Sequence, residues 1–198
     1  MDELRPGLWR WVSNHPGWKP ENDTPTGWKE EVASIAVEAK DGRLVLIDPL
    51  VRDETFWRWL DGRGPIVVLL GNGFHTRSVD EVVARTGATV VGAGEPTPAG
   101  VKALPIAGLD ANETAYELTE HQAVVFADAV IGAGGGDVRL APPSWAGDKD
   151  LYARVFRAEV AKVAARPIEL LLTSHGTPVL DGGGAALRRA LVGPAWGE

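Results

Sequence analysis

Three polar residues that can do chemistry each come shortly after an apolar run typical of a buried strand: His75, Asp128 and His175. Because strand ends that share one edge of a sheet lie close together, we expect these side chains to meet. Two imidazoles and a carboxylate suit zinc, manganese or iron(II). The pattern indicates either a single divalent metal, with zinc favoured, or a metal-free polar cluster held by hydrogen bonds.

The turn that carries the first histidine organises the chain around it. The buried-strand pattern 66–70 leads into the turn 71–77, and apolar residues at helical spacing follow. Ser78 as N-cap and Glu81 three residues later predict a capping box, and Gly87 lies where the helix should end. The first histidine should therefore lie between a strand end and a helix N-terminus, where open α/β folds bind ligands.

Two further side chains of this turn are candidates for contacts with a substrate. Asn72 and Arg77 flank the histidine in the sequence. The guanidinium of Arg77 can bind an anionic group through two hydrogen bonds. The alternative is a surface ion pair between Arg77 and Asp80.

A long N-terminal loop supplies the other substrate-binding candidates. The segment 13–29 is rich in Pro, Gly, Asn and Asp and carries His15, Trp18 and Trp28. Long loops within a compact domain are often functional lids, and aromatic rings can stack on a ligand. The same rings can instead fasten the loop to the core, so both interpretations stay open.

Composition limits the class of protein. The chain has 198 residues, a net charge of −7, no cysteine and no basic run. These properties exclude a thiolate nucleophile and a cysteine zinc site, and they argue against nucleic acid and anionic membranes as partners. The N-terminal residues do not resemble a signal peptide, and no apolar run reaches membrane-spanning length. We expect one cytoplasmic domain over residues 1–198 that binds a small molecule.

Periodicity predicts strands and helices in an order rich in strands. The predicted strands are 7–12, 32–39, 44–47, 66–70, 89–91, 101–106, 114–118, 123–127 and 168–173, and the predicted helices are 55–60, 79–86, 149–165 and 185–191. The glycines 134–136 fall in a stretch predicted to be irregular. There is no Gly-x-Ser-x-Gly motif, so serine hydrolysis is not supported.

This order resembles the metallo-β-lactamase superfamily over nearly the whole chain. The resemblance rests on a hairpin that ends in Leu46-Ile47-Asp48, the strand–turn–helix, Val125-Phe126-Ala127-Asp128-Ala129, and Thr173-Ser174-His175-Gly176. It implies an α/β fold in which two mixed sheets and outer helices form a four-layer αββα sandwich. It also implies a dinuclear metal centre that hydrolyses esters, thioesters, amides or phosphoesters.

The signature Thr-His-x-His-x-Asp-His of that superfamily is largely missing. In the register set by His75, the other three metal-binding positions of the motif carry Leu70, Asn72 and Phe74, and the histidine expected downstream is Leu109. The resemblance therefore implies that a first metal site would keep only Asp128. A second site would keep His75, Asp128 and His175, with water as a further ligand.

Two functions follow from this partial match. One is a degenerate hydrolase with a single metal ion that acts on small ester, thioester or phosphoester substrates. The other is a non-catalytic, metal-free protein that binds a small molecule or a partner through the pocket where the superfamily has its metal centre. The sequence leaves open whether the chain is an enzyme.

Overall fold

The structure is a computed structural model that describes residues 1–92, 94–110 and 112–198. The strands are β1 (Asp2–Arg5), β2 (Leu8–Asn14), β3 (Glu31–Glu38), β4 (Leu44–Ile47), β5 (Ile66–Leu69), β6 (Thr89–Val91), β7 (Val101–Pro105), β8 (Thr114–Leu118), β9 (Ala123–Phe126), β10 (Val130–Gly134), β11 (Asp137–Leu140) and β12 (Leu170–Thr173). The helices are α1 (Glu54–Leu60), α2 (Val79–Thr86), α3 (Lys149–Leu151), α4 (Arg157–Ala164) and α5 (Gly183–Val192); a π-helical segment (Tyr152–Phe156) joins α3 to α4.

Two mixed sheets form the framework. The first has the strand order β1-β2-β3-β4-β5-β6, antiparallel up to β4 and parallel from β4 to β6. The second has the order β12-β9-β8-β7, with β12 and β9 parallel. β10 and β11 form a separate hairpin. The parallel pairs matter for function because they bring the carboxyl ends of neighbouring strands to the same edge.

Three hydrophobic layers hold the sandwich together. The middle layer lies between the sheets and joins Ile47 and Leu69 of the first to Val125 and Leu172 of the second. One outer layer packs α1 and α2 against the first sheet, and the other packs α4 and α5 against the second. The predicted αββα architecture is therefore confirmed. Across the described residues, no helix combines the length and apolar character that a bilayer crossing demands.

The structure departs from the predicted elements in three places. The stretch around the glycine run, predicted to be irregular, forms the β10–β11 hairpin. Gly135 and Gly136 make its turn after Gly134 ends β10, and all three glycines have positive φ. The strand β1 was not predicted. The capping box is wrong, because the Ser78 hydroxyl accepts from Val51 N at 3.0 Å and makes no cap bond to α2. Gly87 does end α2 in the left-handed conformation.

Candidate functional site

The structure brings the three predicted donors together at one edge of the sandwich. Nε2 of His75 lies 3.2 Å from Oδ1 of Asp128, and Nε2 of His175 lies 3.1 Å from the same oxygen. Donor atoms of all three side chains lie within 4.8 Å of one another. Two imidazoles therefore face one carboxylate oxygen.

Parallel pairing explains this convergence. Thr173 pairs with Phe126 at the ends of β12 and β9, so the loops carrying His175 and Asp128 leave the second sheet side by side. The turn after β5 approaches from the first sheet. Gly71 begins that turn, and a Cβ there would lie 2.5 Å from the Ala127 Cβ. Only glycine allows the two sheets to come this close at the site.

Asp48, at the end of β4, fixes the ring of His75. Its Oδ2 lies 2.8 Å from Nδ1 of His75, and its Oδ1 accepts from Gly71 N at 2.7 Å. This carboxylate gives the ring an Nδ1–H, which leaves Nε2 to face Asp128. Asp48 itself has a φ of 50°, a left-handed conformation that Asp tolerates better than most residues. Sequence reasoning treated Asp48 only as the end of a strand.

The other oxygen of Asp128 is turned toward the protein interior. Oδ2 accepts from Nδ2 of Asn72 at 2.7 Å, and the same Nδ2 lies 3.3 Å from Oε2 of Glu113. Oε1 of Glu113 accepts from the backbone N–H groups of Asp128 and Ala129 at 3.0 and 2.9 Å. Glu113 is 1% exposed. No sequence pattern singled it out.

The pKa values of the four titratable groups at this site are shifted in different directions. Burial lowers the pKa of His75, but the carboxylates of Asp48 and Asp128 outweigh it and raise the pKa to about 9. Burial lowers the pKa of His175 despite Asp128. Burial and then the charge of Asp128 raise the pKa of Glu113 to about 8. Burial opposes ionisation of Asp128, yet the histidines hold its pKa well below the usual range.

The cluster forms the floor of a cavity of about 380 Å³. Its walls are mostly aromatic or apolar. Trp28 and Trp145 both pack against the His175 ring, with ring centroids 5.8 and 6.0 Å away. Phe74 also lines the cavity and is 68% exposed. The remaining lining residues are His15, Val32, His75, Arg77, Leu109, Asp110, Asp128 and His175.

The long loop supplies part of this wall. His15 and Trp28 line the cavity, whereas Trp18 lies outside the lining and donates its indole N–H to the Trp28 carbonyl at 3.0 Å. Trp145 and Trp196 donate theirs to the carbonyls of Thr26 and Gly27 at 2.7 and 3.0 Å. The loop is thus fastened to the C-terminal half as a fixed wall.

The predicted surface pair of Arg77 with Asp80 is wrong, because the half-buried guanidinium bonds to other groups of the fold. It donates to the backbone carbonyls of Ala33 and Asp48, both at 2.9 Å, and to Oγ of Ser174 at 2.6 Å. These bonds join the first sheet to the loop before His175. Arg77 still lines the cavity, whereas Asn72 does not, since its amide lies behind Asp128.

The donor set could hold one metal ion. With metal–ligand distances of 2.0–2.2 Å, adjacent donors around a tetrahedral ion lie about 3.3–3.6 Å apart, close to the observed 3.1 and 3.2 Å. Oδ1 of Asp128 and Nδ1 of His175 are buried without a hydrogen-bond partner among the described residues. On Oδ2, by contrast, Asn72 presents an N–H group, which cannot coordinate a metal.

Comparison with solved structures identifies the class of fold. The DIM-1 metallo-beta-lactamase has a TM-score of 0.62 at 12% identity, with 96% of each chain covered. A metallo-beta-lactamase superfamily protein from Sulfolobus tokodaii has a TM-score of 0.63 at 14% identity, covering 93% of this chain and 84% of that one. A metallo-beta-lactamase from Pontibacter korlensis has a TM-score of 0.59 at 15% identity, covering 96% and 95%.

These matches define a protein with the metallo-β-lactamase fold, as the sequence resemblance implied. The likeness is structural only. No family model matches the sequence, and no curated protein matches it. The fold alone does not fix the activity, because unrelated functions can share one fold.

Proposed function

We propose that this chain is a hydrolase-like protein that binds a single divalent cation at the floor of its cavity. His75, Asp128 and His175 would be the ligands, and zinc is the favoured ion. The supporting observation is the approach of two Nε2 atoms to one carboxylate oxygen at distances that suit a shared ion. The substrate class is a small ester, thioester or phosphoester that fits a cavity of about 380 Å³.

When bound, such an ion would supply a Lewis acid and a water of lowered pKa. The protein's own side chains set the conditions. Asp48 holds the His75 ring with Nε2 toward the cavity. Arg77 fixes the backbone on both sides of the site through Asp48 and Ser174. Trp28 and Trp145 shield the His175 ring from water.

The turn that carries His75 has no acidic side chain left to orient a water molecule, because Phe74 stands where the related signature has Asp. The proposed hydrolysis is therefore slow. General-base assistance typically contributes about 10²–10⁴-fold, and this turn no longer supplies it.

A second function has its own support. Without a metal, a protonated His75 points one ring N–H toward each of the carboxylates of Asp48 and Asp128 and offsets part of their charge. The cavity with its walls of Trp28 and Trp145 would then bind a small apolar ligand without catalysis.

Equilibrium dialysis of the untagged chain against zinc separates the two functions. We expect one zinc per chain for the parent and for His121→Gln, which changes the one histidine outside the cavity. His175→Gln should retain none. Zinc-dependent hydrolysis of 4-nitrophenyl acetate by the parent, lost in His175→Gln, would establish catalysis. A folded parent that binds no zinc would overturn the metal-dependent function in favour of the second.

A further inference from the structure

Asn72 occupies an unusual position between two buried carboxyl groups. Its Nδ2 lies 2.7 Å from Oδ2 of Asp128 and 3.3 Å from Oε2 of Glu113. Its Oδ1 accepts from Phe74 N at 2.9 Å, which fixes the orientation of the amide so that the NH₂ group faces both acids. Asn72 is 3% exposed.

Buried acids normally have a cation, a metal or several hydrogen-bond donors beside them, because an unpaired buried charge is costly. Asp128 has the histidines on Oδ1. On the Oδ2 side, among the residues that the structure describes, the shared partner of Asp128 and Glu113 is the neutral amide of Asn72. A bridging NH₂ group at this point occupies the place between two carboxyl groups where a small cation could lie, without supplying its charge.

We infer that Asn72 is a positioning residue that takes the place of a second cation. By holding Oδ2 of Asp128, it sets the carboxylate so that Oδ1 faces both imidazoles, and by filling the space between Asp128 and Glu113 it limits the site to one ion. The first effect rests on the proposed function, since it concerns the affinity for the ion on His75, Asp128 and His175. The second concerns the number of ions and stands apart from it.

The number of ions is tested by Asn72→Asp, which keeps the shape of the side chain and replaces its NH₂ group with a third carboxylate oxygen. Repulsion among three buried acids is then relieved by a cation. We expect Asn72→Asp to bind one more zinc ion per chain than the parent, measured by dialysis and elemental analysis. Asn14→Asp, at the exposed end of β2, makes the same charge change and should leave the count unchanged.

Asn72→His covers the case in which Asn72→Asp fails to fold, because it offers a neutral ligand at the same place. We expect the same gain of one ion. Equal ion counts in the parent and in the folded variant would overturn the inference. A parent with no ion and a variant with one would overturn the proposed function and leave this inference standing; no ion in either would overturn both.

The affinity is tested by Asn72→Ala, which removes both hydrogen bonds from Asp128 and Glu113. Loss of a side chain that orients a metal ligand typically costs about 10–100-fold in metal affinity. We expect a loss of this size in zinc affinity by calorimetry on variant protein shown to be folded by circular dichroism. A folded Asn72→Ala that binds zinc as tightly as the parent would show that Asn72 is only a packing residue.

Discussion

The two oxygens of Asp128 lie in contrasting surroundings. Oδ1 faces the imidazoles of His75 and His175 and the cavity. Oδ2 faces the interior, where the amide of Asn72 holds it against Glu113. The Oδ1 atom and the two imidazole nitrogens beside it need a proton or a metal ion between them. The Oδ2 atom already accepts a hydrogen bond from a neutral amide. One carboxylate can therefore have one side open to an ion and the other closed to it.

The largest expected effect comes from removing the open oxygen itself. Asp128→Asn replaces the charged oxygen that faces both imidazoles, so zinc affinity should fall by more than about 100-fold. This loss exceeds the range typical of residues that only orient a metal ligand. Asp110→Asn is the matched control, because Asp110 is an exposed acid that lines the same cavity. Calorimetric titration with zinc checks both. Similar losses in the two variants would mean that general negative charge, rather than Oδ1, binds the ion.

A smaller effect should follow from adding a ligand on the open side. Phe74 is 68% exposed at the cavity, and Phe74→Asp places a carboxylate there. We expect zinc affinity to rise about tenfold, or 1.4 kcal/mol.

Phe74→Ser removes the ring without adding a charged oxygen and serves as the control. If Phe74→Ser tightens zinc binding as much as Phe74→Asp, then the gain in affinity comes from removing the ring of Phe74 and not from adding a carboxylate ligand.

The sequence predicted the meeting of His75, Asp128 and His175, because periodicity located the strands and each residue comes shortly after one. The αββα layers were implied by the resemblance to the metallo-β-lactamase superfamily. The sequence could not predict Glu113, which lies in a loop where no periodic pattern fixes the direction of a side chain. The predicted pair of Arg77 with Asp80 was wrong because the guanidinium bonds to backbone carbonyls of Ala33 and Asp48, far away in the sequence. The contrast between the two oxygens thus depends on tertiary contacts that local patterns do not encode.

The smallest effect concerns the wall of the cavity. Trp145→Phe keeps an aromatic ring beside His175 but removes the indole N–H that bonds to Thr26 O. Losing one such bond costs about 1 kcal/mol, so amide hydrogen exchange in the loop 13–29 should quicken about fivefold. Trp57→Phe, on α1, should not change exchange in this loop. Equal exchange in Trp145→Phe and the parent would show that the loop is held by other contacts.

We expect a zinc ion and a proton on His75 to compete for the side of the site where Oδ1 of Asp128 lies. The carboxylates raise the pKa of His75 to about 9, so near neutral pH the metal-free ring is protonated and must lose that proton to bind a metal. The pKa of His175 is lowered and that of Asp128 lies well below its usual range, so neither should contribute a proton. Zinc affinity should then rise about tenfold per pH unit between about pH 7 and 8.

Calorimetric titration of the parent with zinc at about pH 7.5, in two buffers of different ionisation enthalpy, measures the competition directly. We expect one bound zinc and the release of about one proton per chain. Binding without proton release, binding of two ions, or no binding would each contradict this expectation.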